Sequence, residues 1–309
     1  MAKKKKMSLQ STTDDLMLYA DVYVPESEPK AVVQIIHGKA EHKERYEVIA
    51  NILSAYGCVV LVVDNRGHGE SISDNVPLGY FADENGWLVN LQDIQQFSTK
   101  IMEKYRNLPF FIIGHGMGAL IGHSFLKRYE DMVSGAVFSG MPAFVSTASA
   151  NKKKAATICK LKGAKNTTKQ LNTNEFNNSI VNPRTPFDWI SYNVDNVDSY
   201  MDDDLCGFDF TNKGWYDYYD GMMDVFSRSD WRILKKQLPI LFVVGQQDVC
   251  ADVAVGFNNS LNNLANAGYE KIEANIYENM RHEVFNEREK KIVFKDVLTW
   301  LNKQLQNEK

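Results

Sequence analysis

Cysteine is scarce in this chain of 309 residues: there are four, far apart, with no C-x-x-C pair and no zinc-ligand spacing. This scarcity argues against a disulfide framework or a metal site and indicates reduced thiols. No run reaches the roughly eighteen apolar residues that a membrane-spanning helix needs. Basic residues are not in excess, since 35 stand against 39 acidic ones, which argues against nucleic acid as a partner. We therefore expect a globular, cytoplasmic protein.

The chain starts with four consecutive lysines at residues 3–6. A secretory signal would need an apolar segment after this charge, but residues 8–15 are polar. We therefore expect residues 1–15 to form a disordered, basic N-terminal tip.

Short β-branched runs alternate with longer amphipathic stretches along most of the chain. Nearly continuous apolar runs indicate strands buried on both faces, as in a parallel sheet that is covered by helices. Residues 16–19 and 22–24 are predicted to pair as an antiparallel hairpin, followed by strands at residues 32–36, 59–63, 110–113, 136–139, 240–244 and 272–277. Helical patterns occupy residues 45–55, 87–104, 120–129, 253–267 and 284–304.

The alternation stops between residues 141 and 236. Residues 152–169 carry seven lysines and no acid, whereas residues 188–220 carry nine aspartates and one lysine, interleaved with aromatic side chains. A segment of this length inside an α/β chain indicates an inserted helical cap rather than a loop. The remaining residues, 16–140 and 237–309, are predicted to form the core.

One predicted strand runs directly into the glycine-rich sequence Gly114-His115-Gly116-Met117-Gly118, which a helical stretch follows. This is the layout of the nucleophile elbow G-x-S-x-G, with Gly116 at the serine position. The same residues fit the dinucleotide pattern G-x-G-x-x-A. That pattern, however, belongs to the first βα unit and requires an acid at the end of the next strand, which is absent here. We therefore expect no nucleotide cofactor.

Polar segments also follow other predicted strands, where open α/β sheets carry their chemistry. The strand at residues 32–36 runs into His37 and Gly38, and a glycine there lets backbone N–H groups turn inward, as an oxyanion hole requires. Asp248 stands after the strand at 240–244, and His282 lies between the last strand and the last helix. The order of nucleophile turn, acid and histidine is that of α/β-hydrolases.

Five ordered motifs carry a more specific resemblance. They are H-G-x-x-E-H-x-x-R-Y, D-x-R-G-H-G-x-S, G-H-x-M-G, G-x-x-D and R-H-E-x-x-N-E. Together they resemble the monoacylglycerol lipase and lysophospholipase family of α/β-hydrolases over residues 16–305. The resemblance implies an α/β-hydrolase fold, with a mostly parallel eight-stranded sheet and an inserted helical cap. It also implies hydrolysis of a monoacylglycerol or lysophospholipid ester by a Ser-His-Asp triad, with no metal and no cofactor.

The resemblance further implies a role for each site residue. Asp248 would orient His282, which would act as general base and then general acid, while Gly116 stands at the nucleophile position. The backbone N–H groups of Lys39 and Met117 would form the oxyanion hole, although Lys39 is larger and more polar than the small residue usual there. The substrate pocket would include Gly38, Glu41, Arg45 and His115.

Glycine has no hydroxyl with which to attack a carbonyl, so Gly116 is expected to leave the chain inactive or nearly so. Two origins are open, an engineered knock-out and a natural pseudoenzyme. Two other functions are also open: a non-catalytic module that binds a lipid or small ligand, and an aminopeptidase of the same fold. The expected partner is a small-molecule lipid or ester. The lysine-rich segment is either a solvated face or a site of transient membrane-surface contact.

Overall fold

The computed structural model describes residues 2–171, 175–229, 231 and 233–307. Its centre is a sheet of eight strands in the spatial order β1-β2-β4-β3-β5-β6-β7-β8. The strands are β1 (Lys3–Gln10), β2 (Met17–Val24), β3 (Ala31–Ile36), β4 (Cys58–Val63), β5 (Phe110–His115), β6 (Gly135–Ser139), β7 (Ile240–Gly245) and β8 (Ile272–Tyr277). Only the β1–β2 and β2–β4 pairs are antiparallel. The mostly parallel sheet predicted from the sequence is thereby confirmed.

Helices cover both faces of this sheet. They are α1 (Glu47–Ala55), α2 (Gly86–Lys104), α3 (Met117–Tyr129), α4 (Ala148–Lys162), α5 (Val194–Met201), α6 (Asn212–Phe226), α7 (Gly256–Ala267) and α8 (Lys290–Asn307). Side chains of α1 and α8 belong to one buried cluster, and those of α2, α3 and α7 belong to another on the opposite face. The strands from β3 to β7 are buried along their whole length, which explains why their sequences are almost uninterrupted apolar runs.

The expected disordered tip at residues 1–15 is wrong for most of its length. Lys3–Gln10 forms β1, which pairs with the whole of β2 from Lys3↔Val24 to Gln10↔Met17. Backbone hydrogen bonds drive this pairing and do not depend on hydrophobic side chains. Exposed lysines are a usual feature of edge strands because they discourage further pairing. Met1 lies outside the described residues.

The predicted hairpin of residues 16–19 and 22–24 is also wrong. Apart from Leu16, both halves belong to the single strand β2, whose antiparallel partners are β1 and β4. Residues 11–16, polar except for Leu16, form the connection between β1 and β2. The hairpin therefore exists, but it lies earlier in the chain, and its first strand is the lysine run.

The long segment between β6 and β7 contains α4, α5 and α6, and its described residues form no strand. Its second half packs into the body of the protein, since Phe210, Met222 and Val225 are buried in the same cluster as α2 and α3. A Cβ on Gly221 of α6 would lie 2.0 Å from the Trp87 ring of α2, so the two helices are in close contact. The assignment of residues 141–236 as an inserted cap remains our interpretation of this segment.

None of the helices in the described ranges combines the length and the apolar character needed to cross a bilayer. The four cysteines are free thiols, as expected from their spacing.

Candidate active site

The turn between β5 and α3 holds Gly116 at the carboxyl end of a central strand. Gly116 has φ 54° and ψ −119°. This backbone conformation is strained for a residue with a side chain, but glycine adopts it freely. Its N–H donates to the carbonyl of Ser139 at 2.9 Å, and its own carbonyl accepts the N–H of Ala119 at 3.0 Å. The turn therefore has the strand-to-helix geometry of a nucleophile elbow.

The three glycines of this turn differ in the space around them. A Cβ on Gly114 would lie 2.4 Å from the carbonyl oxygen of Gly118, and a Cβ on Gly118 would lie 2.1 Å from that of Ile36. These two positions need glycine because the backbones approach each other closely. A Cβ on Gly116 would meet no atom nearer than Nε2 of His282, at 3.3 Å. Among the three, only position 116 has room for a small side chain.

Asp248 and His282 meet at the same edge of the sheet, after β7 and β8. Nδ1 of His282 lies 3.0 Å from Oδ2 of Asp248 and donates to it, because an ionised carboxylate only accepts. Oδ1 of Asp248 accepts the backbone N–H groups of Cys250 at 2.9 Å and Ala251 at 3.0 Å. Burial raises the pKa of Asp248, but His282 and these donors outweigh it and hold the pKa below its ordinary value. The carboxylate is thus ionised and fixes the imidazole ring.

His282 presents its second nitrogen to position 116. Burial lowers the pKa of His282, but the Asp248 carboxylate more than offsets this effect, and the pKa lies above its ordinary value. The ring is buried against Trp189 from the segment between β6 and β7, at 5.0 Å between centroids. With Nδ1 committed to Asp248, Nε2 is the atom that can accept a proton from a group at position 116.

The two residues predicted to supply the oxyanion N–H groups belong to the turns that adjoin position 116. Met117 begins α3, and Lys39 follows Gly38, whose Cα is 3.6 Å from a Cβ built at position 116. Neither N–H donates a hydrogen bond to any other part of the chain that the structure describes. Ala40 has φ 52°, which is unusual for a residue with a side chain, and the Tyr200 hydroxyl donates to its carbonyl at 2.9 Å. The turn after β3 is therefore held from the side of the inserted segment.

A buried charged cluster adjoins this turn. Arg45 donates to Glu41 at 2.8 Å, to both oxygens of Glu283 at 2.7 Å, and to Asn196 at 2.9 Å. Burial opposes ionisation of the two acids, but Arg45 lowers the pKa of Glu41 and brings the pKa of Glu283 to about 2. Two carboxylates thus share one guanidinium, so the cluster is net negative. The N–H of Gly38 donates to Glu41 at 2.5 Å and ties the cluster to the turn.

His115, which was predicted to line the pocket, is buried next to these residues. Its ring lies 4.6 Å from the His282 ring, and its Nδ1 is 3.2 Å from Oγ of Ser139. Its Cδ2 would be 3.1 Å from a Cβ on Gly38. Burial and the neighbouring His282 lower the pKa of His115 to about 4, so the ring is neutral near pH 7. These contacts favour support of the turn over contact with a ligand.

Three residues that the structure places at the site had no role assigned to them from the sequence: Glu283, Asn196 and Tyr200. Glu283 could have been found, because it directly follows His282 in the R-H-E segment. Asn196 and Tyr200 come from the segment between β6 and β7, as does Trp189, one of the interleaved aromatic side chains of that segment. Their positions depend on how that segment packs over the sheet.

One group of side chains has ligand atoms close enough to share a metal ion. Atoms of His42, Asp203 and Cys206 all lie within 4.8 Å of one another. Nε2 of His42 is already hydrogen-bonded to Asp203 at 2.8 Å. Burial raises the pKa of the Cys206 thiol, which disfavours the thiolate that a metal would need. A histidine–aspartate pair beside a buried thiol accounts for the arrangement without a metal.

The sequence has known relatives over most of its length. The family described as serine aminopeptidase, S33, matches residues 27–289. A monoacylglycerol lipase of Mycolicibacterium smegmatis is 27% identical over 288 residues, which is 91% of each chain. A monoglyceride lipase homolog of monkeypox virus is 26% identical and covers 93% of this chain and 95% of its own.

Solved structures show the same fold. A thermostable carboxyl esterase from Bacillus coagulans, in complex with glycerol, superposes with a TM-score of 0.90 over 99% of both chains at 24% identity. A monoglyceride lipase from Saccharomyces cerevisiae, in complex with a substrate analog, has a TM-score of 0.75 at 19% identity and covers 98% of this chain and 96% of its own. These similarities identify the fold as that of the α/β-hydrolases.

Proposed function

We propose, from the premise that this chain belongs to the serine aminopeptidase (S33) family of hydrolases, that its site is built to hydrolyse a carboxylic ester. We further propose that glycine at position 116 leaves the chain inactive or nearly so. One observation carries the proposal: a Cβ at position 116 would lie 3.3 Å from Nε2 of His282, whose Nδ1 is 3.0 Å from Asp248. A serine hydroxyl there would be within hydrogen-bonding reach of Nε2.

The geometry supports the following chemistry once a hydroxyl is present at position 116. His282 takes the hydroxyl proton as the oxygen attacks the ester carbonyl, and the N–H groups of Lys39 and Met117 stabilise the resulting oxyanion. His282 then gives the proton to the departing alkoxide, and water hydrolyses the acyl-enzyme by the same route. Without the hydroxyl no acyl-enzyme forms. The expected residual rate enhancement is about 10³ relative to the uncatalysed reaction in water.

The charged cluster at the site supports an uncharged alcohol as the leaving group. Glu41 and Glu283 together carry two negative charges against the single positive charge of Arg45. A phosphate headgroup placed there would be repelled, whereas the hydroxyls of a glycerol can donate to the carboxylates. We therefore favour a monoacylglycerol over a lysophospholipid, with a small-molecule lipid or ester as the partner and the cytoplasm as the location.

Two other functions remain as alternatives. A non-catalytic module would bind the same lipid or ester and would gain no turnover from a hydroxyl at position 116. An aminopeptidase would need free carboxylates to hold the amine of its substrate. The net negative cluster of Glu41, Glu283 and Arg45 can also attract an amine, so the comparison of an ester with an amino acid anilide decides between the two activities.

The test is the Gly116→Ser variant with 4-nitrophenyl butyrate as substrate. We expect it to hydrolyse the ester at least about 10³ times faster than the unmodified chain, since removal of a triad member typically costs this much or more. The matched controls are Gly116→Ala, which adds a Cβ without a hydroxyl, and the double variant Gly116→Ser/His282→Ala. Both should remain at the rate of the unmodified chain.

An inert Gly116→Ser protein that is folded and binds a monoacylglycerol would favour the non-catalytic module. Cleavage of an amino acid 4-nitroanilide in preference to the butyrate ester would favour the aminopeptidase. If Gly116→Ser/His282→Ala were as active as Gly116→Ser, His282 would take no part in the mechanism.

A further inference from the structure

The side chain of Lys39 takes no part in the chemistry proposed above, which uses only its backbone N–H. Its Nζ lies 4.9 Å from the ring centroid of Trp215 and 5.0 Å from that of Phe210. Both rings come from the segment between β6 and β7, and Trp215 lies on α6. Cation–π attraction holds an ammonium group over such rings. The head of Lys39 therefore rests on an aromatic surface beside the turn that carries the oxyanion N–H groups.

No carboxylate in the described ranges lies within ion-pairing distance of this ammonium, and none of its N–H donors reaches a protein acceptor there. Burial lowers the pKa of Lys39 to about 8, and the more distant Asp209 opposes the shift only in part. Arg45 on the same turn, in contrast, is engaged by Glu41 and Glu283. Of these two cations, Lys39 is the one with hydrogen-bonding capacity left for a ligand.

His68 supplies a second polar group on the same aromatic surface. Its ring is fully buried, with its centroid 5.4 Å from that of Phe210. Nδ1 donates to the carbonyl of Arg66 at 3.0 Å, so Nε2 is an acceptor, and it has no hydrogen-bond partner among the described residues. Burial lowers the pKa of His68 well below its usual value, so the ring adds no positive charge. His68 therefore packs on the same Phe210 ring as Lys39 without adding a charge that would compete for an anion.

We propose that the side chain of Lys39 forms an anion-binding subsite, and that the preferred ligands carry a carboxylate on the acyl portion, a few carbons from the ester carbonyl. This inference rests on the proposed function, which puts the ester carbonyl at the N–H groups of Lys39 and Met117. The ammonium and one of these N–H groups belong to the same residue. The charge of the ligand must therefore lie within the length of one lysine side chain and two hydrogen bonds from its carbonyl. A monoester of a short dicarboxylic acid meets this condition, and a long acyl chain with a terminal charge does not.

The other charged surface of the site decides which end of the ligand carries the carboxylate. The cluster of Glu41, Arg45 and Glu283 is net negative and would repel an anion. The ammonium of Lys39 attracts one and has no acid of its own to displace. The anionic group is therefore assigned to the acyl portion, where it can bind the ammonium of Lys39.

The first test measures binding to the unmodified chain, which does not turn the ligands over. The probes are monobenzyl glutarate and its uncharged counterpart benzyl pentanoate, compared by isothermal titration calorimetry at pH 7 and low ionic strength. We expect the glutarate to bind at least about tenfold more tightly, the range that charge-assisted hydrogen bonds provide. Equal affinities would overturn the inference without recourse to any variant.

The second test assigns the preference to one side chain. Lys39→Met keeps the unbranched stem and removes the charge, so the glutarate preference should disappear. Lys39→Arg keeps the charge and should retain most of the preference. Lys162→Met removes an exposed lysine of α4 and should leave the preference unchanged. A preference that survives in Lys39→Met, or that falls equally in Lys162→Met, would contradict the subsite.

The two proposals can fail separately. In the Gly116→Ser background, Lys39→Met should lower the ratio of kcat/KM for mono-4-nitrophenyl glutarate over 4-nitrophenyl pentanoate by at least about tenfold. An equal loss for both esters would mean that Lys39 acts on the oxyanion rather than on an acyl carboxylate, and would overturn the subsite while the ester hydrolase stands. If Gly116→Ser is inert but the unmodified chain still prefers the glutarate, the ester hydrolase fails and the subsite stands.

Discussion

Two lysines, four positions apart on the turn after β3, lie in opposite environments. Nζ of Lys43 is buried, 2.7 Å from Asp64 and 2.6 Å from Glu70, both in the loop after β4. Burial works against its charge, but Asp64 and Glu70 prevail and raise the pKa of Lys43. Lys39 is partly exposed and contacts aromatic rings instead of acids, and burial lowers its pKa to about 8.

The difference separates structural from functional charge within a single turn. Lys43 joins two loops, since Asp64 also accepts the backbone N–H groups of Lys43 and Glu70. The positive charge of Lys43 is neutralised by acids within the protein. The ammonium of Lys39 has no such acid, and the backbone N–H of the same residue also has no partner in the described chain. A charge without a protein partner at a site edge is one that a ligand can neutralise.

The largest effect is expected from removing the buried charge. Lys43→Met leaves the Asp64 carboxylate buried without its cation, and we expect a loss of about 3–5 kcal/mol in the free energy of unfolding. Lys39→Met breaks no ion pair, so its effect should stay within about 1 kcal/mol. Urea denaturation of both variants measures this, with the surface variant Lys162→Met as the control. Losses of similar size in the two variants would contradict the distinction between a lysine that stabilises the fold and one that is free to bind a ligand.

The pH dependence of ligand binding tests the role assigned to Lys39. Because the pKa of Lys39 is lowered to about 8, its ammonium is charged at pH 7 and loses the proton as the pH rises through that value. A bound carboxylate favours the charged form, so the midpoint in the complex should lie above 8. We expect the roughly tenfold preference for monobenzyl glutarate to vanish by about pH 10.

Titration calorimetry at a series of pH values checks this, with Lys39→Arg as the control, because a guanidinium stays charged throughout. The groups near the ammonium are Asp209, His68 and Cys250. Burial holds the pKa of His68 well below and the pKa of Cys250 well above their ordinary values, so neither titrates in this window. A preference that stays constant to pH 10 in the unmodified protein would contradict the assignment to Lys39.

At position 116 we expect a smaller loss of stability than at Lys43. Gly116→Ala adds a Cβ at φ 54°, where a side chain strains the backbone, and should cost about 1–2 kcal/mol in the free energy of unfolding. Gly118→Ala is the matched comparison, because its Cβ would lie 2.1 Å from a backbone oxygen and should destabilise the protein much more. Thermal unfolding of the two variants measures the difference in their stability. Equal destabilisation would mean that position 116 has no room for a side chain.

The fold was largely predictable, because apolar runs of strand length report burial in the centre of a sheet. The five strands from β3 to β7 were located to within one or two residues on this signal, and the edge strand β8 was located as well, although only its Tyr277 is buried. β1 was missed, because its eight residues include four lysines and derive their order from backbone pairing with β2. An edge strand with exposed lysines has no hydrophobic pattern from which to predict it.

The candidate site was predictable where its residues belong to motifs at strand ends. Gly116, Asp248 and His282 do lie together, as the motif order implies, and their catalytic roles remain proposals. Glu283 and Asn196 were given no role, although both bind Arg45. The R-H-E motif could have placed Glu283 at the site, but not its contact with Arg45, which is 238 residues away in the chain. Asn196 is 151 residues away from Arg45 and belongs to no motif.

The sequence by itself determined the succession of strands and helices and the edge at which its polar motifs meet. It could do so because each element is set by neighbouring residues, and because parallel strands end on the same side of a sheet. Only the tertiary structure decided which lysine is paired, which carboxylates share Arg45, and which imidazole nitrogen faces position 116. These properties depend on burial and on distances between residues remote in sequence, and they appear only when the chain has folded.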